Sequence, residues 1–130
     1  VTVPGKSYLL DTNIAIWLDG RPQLVSPSVH QVLGDPDCAI FLSTVSFWEL
    51  SVKQRIGKID PTLRLELMVE RYGVAELPVT SKYTGVLRDL PLLHRDPFDR
   101  MLVAQAMVEG MTLVTGDGRL ARYAVSVLRV

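Results

Sequence analysis

Asp11, Glu49, Asp99 and Asp117 are acids in places where the surrounding pattern calls for apolar or turn residues, and misplaced carboxylates are where hydrolytic and metal chemistry is sought first. Asp11 closes the apolar run Ser7-Tyr8-Leu9-Leu10 and leads into a helical pattern. In open α/β sheets ligands collect beyond the carboxyl ends of the strands, so an acid there is placed for chemistry. Capping of the following helix explains the same residue. Asp117 repeats the arrangement after residues 111–115, within Gly116-Asp117-Gly118, which is also a plain turn sequence.

The other two acids interrupt helical stripes. Counting by three and four from Asp99 gives Leu102, Val103 and Ala106, so its side chain heads the core-facing side of a helix opened by Asp96-Pro97. A charged Asp is almost never buried without a partner, which puts Asp99 in a cleft with a cation or against the positive helix end. Glu49 has Val45 four residues before it and Val52 and Ile56 three and seven after, again on an apolar face. A capping box with Ser46 is the competing account of Glu49, and Asp96 reads as a helix cap.

If the four acids meet at one rim of a sheet, they repel one another unless a proton or cation intervenes. The lone Cys38, and His30 and His94 without partners at ligand or catalytic spacing, leave no zinc pattern. His94 reads as a hydrogen-bonding loop residue. An all-carboxylate set suits Mg²⁺, with Mn²⁺ able to substitute, and the usual work of such a site is phosphoryl chemistry.

The elements that must carry these acids follow from apolar runs and stop signals. Strands are expected over residues 7–10, 38–43, 74–77, 111–115 and 125–128. Helices are expected over 13–19, 27–33, 47–56, 62–72, 81–90 and 97–109, with a helical turn over 119–123. Short strands alternating with helices imply right-handed crossovers and a mostly parallel sheet of about five strands, an α/β/α sandwich. The 130 residues are expected to form a single domain, 1–130.

With 48% apolar and 22% charged residues the chain has the composition of a globular protein. No apolar run suits a membrane span and residues 1–6 show no apolar leader, so a cytoplasmic location is expected. Net charge is zero, so attraction for a polyanion would have to be local. Basic residues do trail each acid: Lys53, Arg55 and Lys58 after Glu49, Arg95 and Arg100 around Asp99, Arg119 and Arg122 after Asp117. Phosphate contact and ordinary solvated charge both fit them; Arg100 is the foremost candidate by position, with Lys53 and Arg119 beside it. Phe47 is expected in the core, while Trp17, Trp48 and Tyr83 fit either core or base stacking.

The segments Leu9-Leu10-Asp11-Thr12-Asn13, Ser46-Phe47-Trp48-Glu49-Leu50, His94-Arg95-Asp96-Pro97-Phe98-Asp99-Arg100 with Ala104-Gln105-Ala106, and Thr115-Gly116-Asp117 occur together and in order. In this the sequence resembles the PIN-domain ribonucleases, and among them the toxins of VapBC toxin–antitoxin pairs. The resemblance implies a metal-binding pocket of Asp11, Glu49, Asp99 and Asp117, supported by Thr115 and Asn13, with Asp96 close by. It also implies Mg²⁺-dependent hydrolysis of RNA, a tRNA or other structured RNA as target, a VapB-type antitoxin partner and a homodimer.

Two other readings compete. A non-catalytic module could use the acids to hold a basic partner peptide. An aspartate-nucleophile phosphatase would also put an Asp after the first strand, but Asp11-Thr12-Asn13 lacks the second acid two residues on.

Overall fold

An apolar run of four residues cannot sustain a helix, and Ser7–Leu10 instead forms β1, the middle strand of a sheet buried on both faces. The computed structural model describes residues 6–130, so the expectation of no apolar leader lies largely outside the described residues. Strands β2 (Ala39–Ser43), β3 (Ala75–Leu77), β4 (Thr112–Thr115) and β5 (Val127–Arg129) run parallel to β1 in the spatial order β3-β2-β1-β4-β5. The chain moves outward from β1 to β3 on one side, then returns to lay β4 and β5 on the other. The order therefore reverses between β1 and β4, where α/β sheets open a crevice at their carboxyl ends.

Helices α1 (Thr12–Gly20), α2 (Pro27–Gly34), α3 (Thr44–Arg55), α4 (Leu65–Tyr72), α5 (Thr84–Asp89) and α6 (Pro97–Glu109) complete the expected α/β/α sandwich. The pleat divides the core in two. Leu9 and Leu113 face Leu102, Val103 and Ala106 of α6, while Leu10 and Val114 face Ile14 and Leu18 of α1 and Met68 of α4. Gly73 and Gly110 end α4 and α6 in the left-handed conformation, which glycine adopts without a steric penalty. Among the described residues no helix is long and apolar enough to cross a membrane.

Three boundaries depart from expectation for identifiable reasons. α3 starts three residues early because the Ser43 hydroxyl, not Ser46, caps it by accepting from the Val45 amide. α4 starts late because Asp60 binds the Thr62 amide and hydroxyl, and the Gln54 side chain binds the Asp60 and Leu63 carbonyls, holding 60–63 as a turn. The helix expected over 81–90 is a 3₁₀ turn, Ser81–Tyr83, running into α5.

Candidate metal centre

Asp11 leaves β1 as the residue before α1, and its amide extends the ladder by donating to the Val114 carbonyl at 2.9 Å. Its side chain forms no capping hydrogen bond; the Thr12 and Asn13 amides only lean towards it. Instead Thr115, at the end of β4 and fully buried, donates its hydroxyl to Asp11 Oδ2 at 2.6 Å and accepts from the Asp117 amide at 3.0 Å. One threonine thus ties together the two strand ends on either side of the reversal point. Burial raises the Asp11 carboxyl above its ordinary range; the Thr115 bond opposes this and the charge of Glu49 adds to it.

Glu49 lies in the second turn of α3 and is only 3% exposed. With Ser43 as the cap, Glu49 falls outside capping-box position, which removes that account of it. Ser46 is buried and its hydroxyl meets that of Thr12 at 2.8 Å, binding α3 to the start of α1 beside Asp11. Glu49 Oε2 pairs with Lys53 at 2.5 Å, while Oε1 is buried with no hydrogen-bond partner among the described residues. A bare carboxylate oxygen in the interior is costly unless a cation or donor reaches it.

Asp96 caps α6 by accepting from the Phe98 and Asp99 amides at 2.9 and 3.3 Å, and this aims Asp99 inward from the first turn. Burial, followed by the charges of Asp11, Asp96, Glu49 and Asp117, pushes the Asp99 carboxyl up to about 8. Asp117 sits nearby with the opposite fate. The Arg119 guanidinium and amide bind both of its oxygens, overcoming the effect of burial, and with a hydrogen bond from His94 hold it down at about 2.

His94 links the two. Its Nε2 lies 3.1 Å from Asp99 Oδ2 and 3.1 Å from Asp117 Oδ2, and the residue is buried. Its Nδ1 accepts the Asp96 amide at 3.1 Å, so the ring proton resides on Nε2, which donates to Asp117 Oδ2 with the Asp99 carboxylate alongside. Ligating atoms of His94, Asp99 and Asp117 all lie within 4.8 Å of one another, near enough to share one ion. In this tautomer the imidazole serves as donor and the carboxylates as ligands. Sequence reading missed this role; the available signal was a His two residues before a capping Asp, a spacing that lets the ring accept the cap's own amide.

The loop carrying His94 is held by Arg100, whose guanidinium donates to the carbonyls of Pro91, Leu90, Leu87 and His94 and to the Tyr123 hydroxyl, the shortest of these at 2.9 Å. Tyr123 in turn accepts the His94 amide. Arg100, the foremost candidate for phosphate contact, is engaged by this loop, its planar fork satisfying several carbonyls at once. Lys53 and Arg119, the other basic candidates, lie at the acids themselves, on Glu49 and Asp117.

Asp11, Asn13, Trp17, Asp99, Gly116 and Asp117 line a cleft of about 240 Å³ at this sheet edge. Size alone would not select it, since a hollow of about 510 Å³ beside α5 is larger, but the acids do not converge there. Phe47 and Tyr83 pack into the core, whereas Trp48 is 61% exposed and stands edge-on to Phe98. The carboxylates of Asp11, Asp99 and Asp117 that line the cleft, with no thiolate among them, fit a hard divalent cation; Glu49 lines neither the cleft nor the cluster of His94, Asp99 and Asp117.

The chain matches the PIN domain over residues 8–126. It is 31% identical over 122 residues to Ribonuclease VapC22 of Mycobacterium tuberculosis (strain ATCC 25618 / H37Rv), covering 90% of this chain and 92% of that protein. Its fold is similar to that in the crystal structure of VapBC2 from Rickettsia felis bound to a promoter DNA fragment (TM-score 0.69, 17% identity, 95% and 98% of the two chains). It is similar also to that of DNA-bound VapBC from Salmonella typhimurium (TM-score 0.66, 20% identity, 95% and 97% covered).

Proposed function

The chain belongs to the PIN-domain family, and from that premise we propose that it is a metal-dependent endoribonuclease, the toxin of a VapBC-type pair. The whole chain, 1–130, acts as one nuclease domain in the cytoplasm, as a homodimer held in check by a VapB-type antitoxin. The observation that carries this reading is Asp99, whose carboxyl is pushed up to about 8 by burial and then by the charges of Asp11, Asp96, Glu49 and Asp117, together with a buried Glu49 Oε1 that has no hydrogen-bond partner among the described residues. Such an arrangement is stable only with a cation or a proton among the acids.

In this reading Asp11, Glu49, Asp99 and Asp117 hold Mg²⁺, or Mn²⁺ in its place. When bound, the metal lowers the pKa of water and offsets charge on the phosphodiester oxygens. Thr115 fixes the Asp11 carboxylate by its short hydrogen bond and so sets the geometry of the β1 and β4 ends. His94 donates to Asp117 with Asp99 alongside, and Arg100 holds the loop that presents His94. Asn13, on the wall of the cleft, is placed to donate to a substrate oxygen or water. Water attack in line with the leaving oxygen gives a 5′-phosphate and a 3′-hydroxyl. A structured RNA such as a tRNA is the substrate class.

The test is cleavage of total cellular RNA by antitoxin-free protein with Mg²⁺, with Mn²⁺ and with EDTA. Metal-dependent cleavage supports the nuclease. Tight binding of a basic peptide with no cleavage under either metal would instead identify a non-catalytic module.

A further inference from the structure

Lys53 stands one helical turn after Glu49 on α3, with its ammonium 2.5 Å from Glu49 Oε2. The carboxylate is 4% exposed and the lysine side chain 30%, so the stem leads from solvent into the acid cluster. Burial lowers the affinity of Lys53 for its proton, but the hydrogen bond and charge of Glu49, with Asp96 and Asp99 behind it, outweigh this and raise it. Of the four acids, Asp117 has Arg119 and Glu49 has Lys53, while Asp11 and Asp99 pair with no Lys or Arg among the described residues.

A lysine is a compact charge on a flexible stem, and turning outward to water needs only side-chain rotation. A divalent ion drawn to Asp11 and Asp99 would meet this ammonium as a like charge, competing for the carboxylate whose second oxygen is bare. We propose that Lys53 is a tethered counter-ion that occupies the Glu49 side of the cluster, gives way to the entering metal, and thereby sets how tightly the metal is held. This rests on the acids being a metal centre and adds a residue that weakens the site rather than building it.

Titration calorimetry with Mn²⁺ on the wild type, Lys53→Met and Lys53→Arg, with thermal unfolding with and without Mn²⁺, tests it. Lys53→Met should bind Mn²⁺ about tenfold more tightly than the wild type, since the competing charge is gone. Its metal-free Tm should fall, and Mn²⁺ should raise its Tm by more than it raises that of the wild type. Lys53→Arg, which keeps the charge, should remain near the wild type. A lower Tm with unchanged or weaker Mn²⁺ affinity in Lys53→Met would mean a purely structural lysine and overturn the proposal, leaving the metal centre intact. No Mn²⁺ uptake by any of the three would overturn both. Should Lys53→Met not fold without metal, Lys53→Gln answers the same question.

Discussion

Asp99, at the start of α6, and Asp117, in the turn after β4, each bring a carboxylate oxygen 3.1 Å from the same imidazole nitrogen, which hydrogen-bonds Asp117, yet their carboxyls are driven to opposite ends of the scale, about 8 and about 2. The difference lies in what else each one touches. Asp99 is buried among Asp11, Asp96, Glu49 and Asp117 with His94 as its one positively chargeable contact, whereas Asp117 is clamped by Arg119 in a more exposed turn. A shared neighbour does not level two acids when burial and full charges act differently on them. The difference shows where the cluster still needs positive charge: at Asp99 and Asp11, which pair with no Lys or Arg among the described residues, and not at the Asp117 turn.

The largest effect that would sharpen this contrast is expected from Asp99→Asn and Asp11→Asn. Each should lower RNA cleavage by at least about a hundredfold, because a ligand counts for no less than the groups that orient it. Each should also leave the metal-free fold as stable or more so: Asp11→Asn removes a repelling charge, and Asp99→Asn replaces an acid already held protonated at neutral pH with its uncharged amide. Cleavage at the wild-type rate by either would break the assignment of that residue.

Chelation gives the next effect. Asp99 binds its proton more tightly folded than unfolded, so its contribution to stability is greatest below its ordinary value of 3.8 and is lost as pH rises through about 8. Asp117 works the other way, losing its contribution as pH falls from 3.8 through about 2. In EDTA the folded state should therefore weaken from mildly acidic to mildly alkaline pH, by an amount on the order of a few kcal/mol. Asp99→Asn should flatten that limb in thermal melts, and a wild-type limb that is already flat would break the contrast.

His94→Ala frees Asp117 from its imidazole donor and Asp99 from the adjacent ring, and should weaken Mn²⁺ binding by about 10–100-fold with helix content unchanged by circular dichroism. Unchanged affinity would show that the ring does not position the pair. The smallest effect belongs to Asp96→Asn, whose side-chain oxygen still accepts the Phe98 and Asp99 amides. It should shift stability by no more than about 1 kcal/mol and leave most of the cleavage intact.

Much of this was legible in the chain because it is local. Five short apolar runs became five parallel strands, and Asp96-Pro97 opened α6 where a cap and a first-turn proline should. The periodicity around Asp99 announced an acid on an inward face, and Leu102, Val103 and Ala106 are indeed buried; Glu49 is buried too, but of the apolar stripe expected around it only Val45 is buried, while Val52 and Ile56 are exposed. The misplacements were local too: Ser43 and Ser46 compete for one cap, and both are good caps, so only the helix start separates them.

By itself the sequence determined which residue types form strands and helices and which acids stand at their ends, since caps, turns and hydrophobic period act within a few residues of themselves. Only the tertiary structure decided how the acids differ, that His94 lies against two of them, and that Arg100 braces the loop before α6. These depend on contacts across the reversal between β1 and β4 and on burial, and a carboxyl's charge, like a guanidinium's choice of partner, is set by whatever the fold brings within a few ångströms of it.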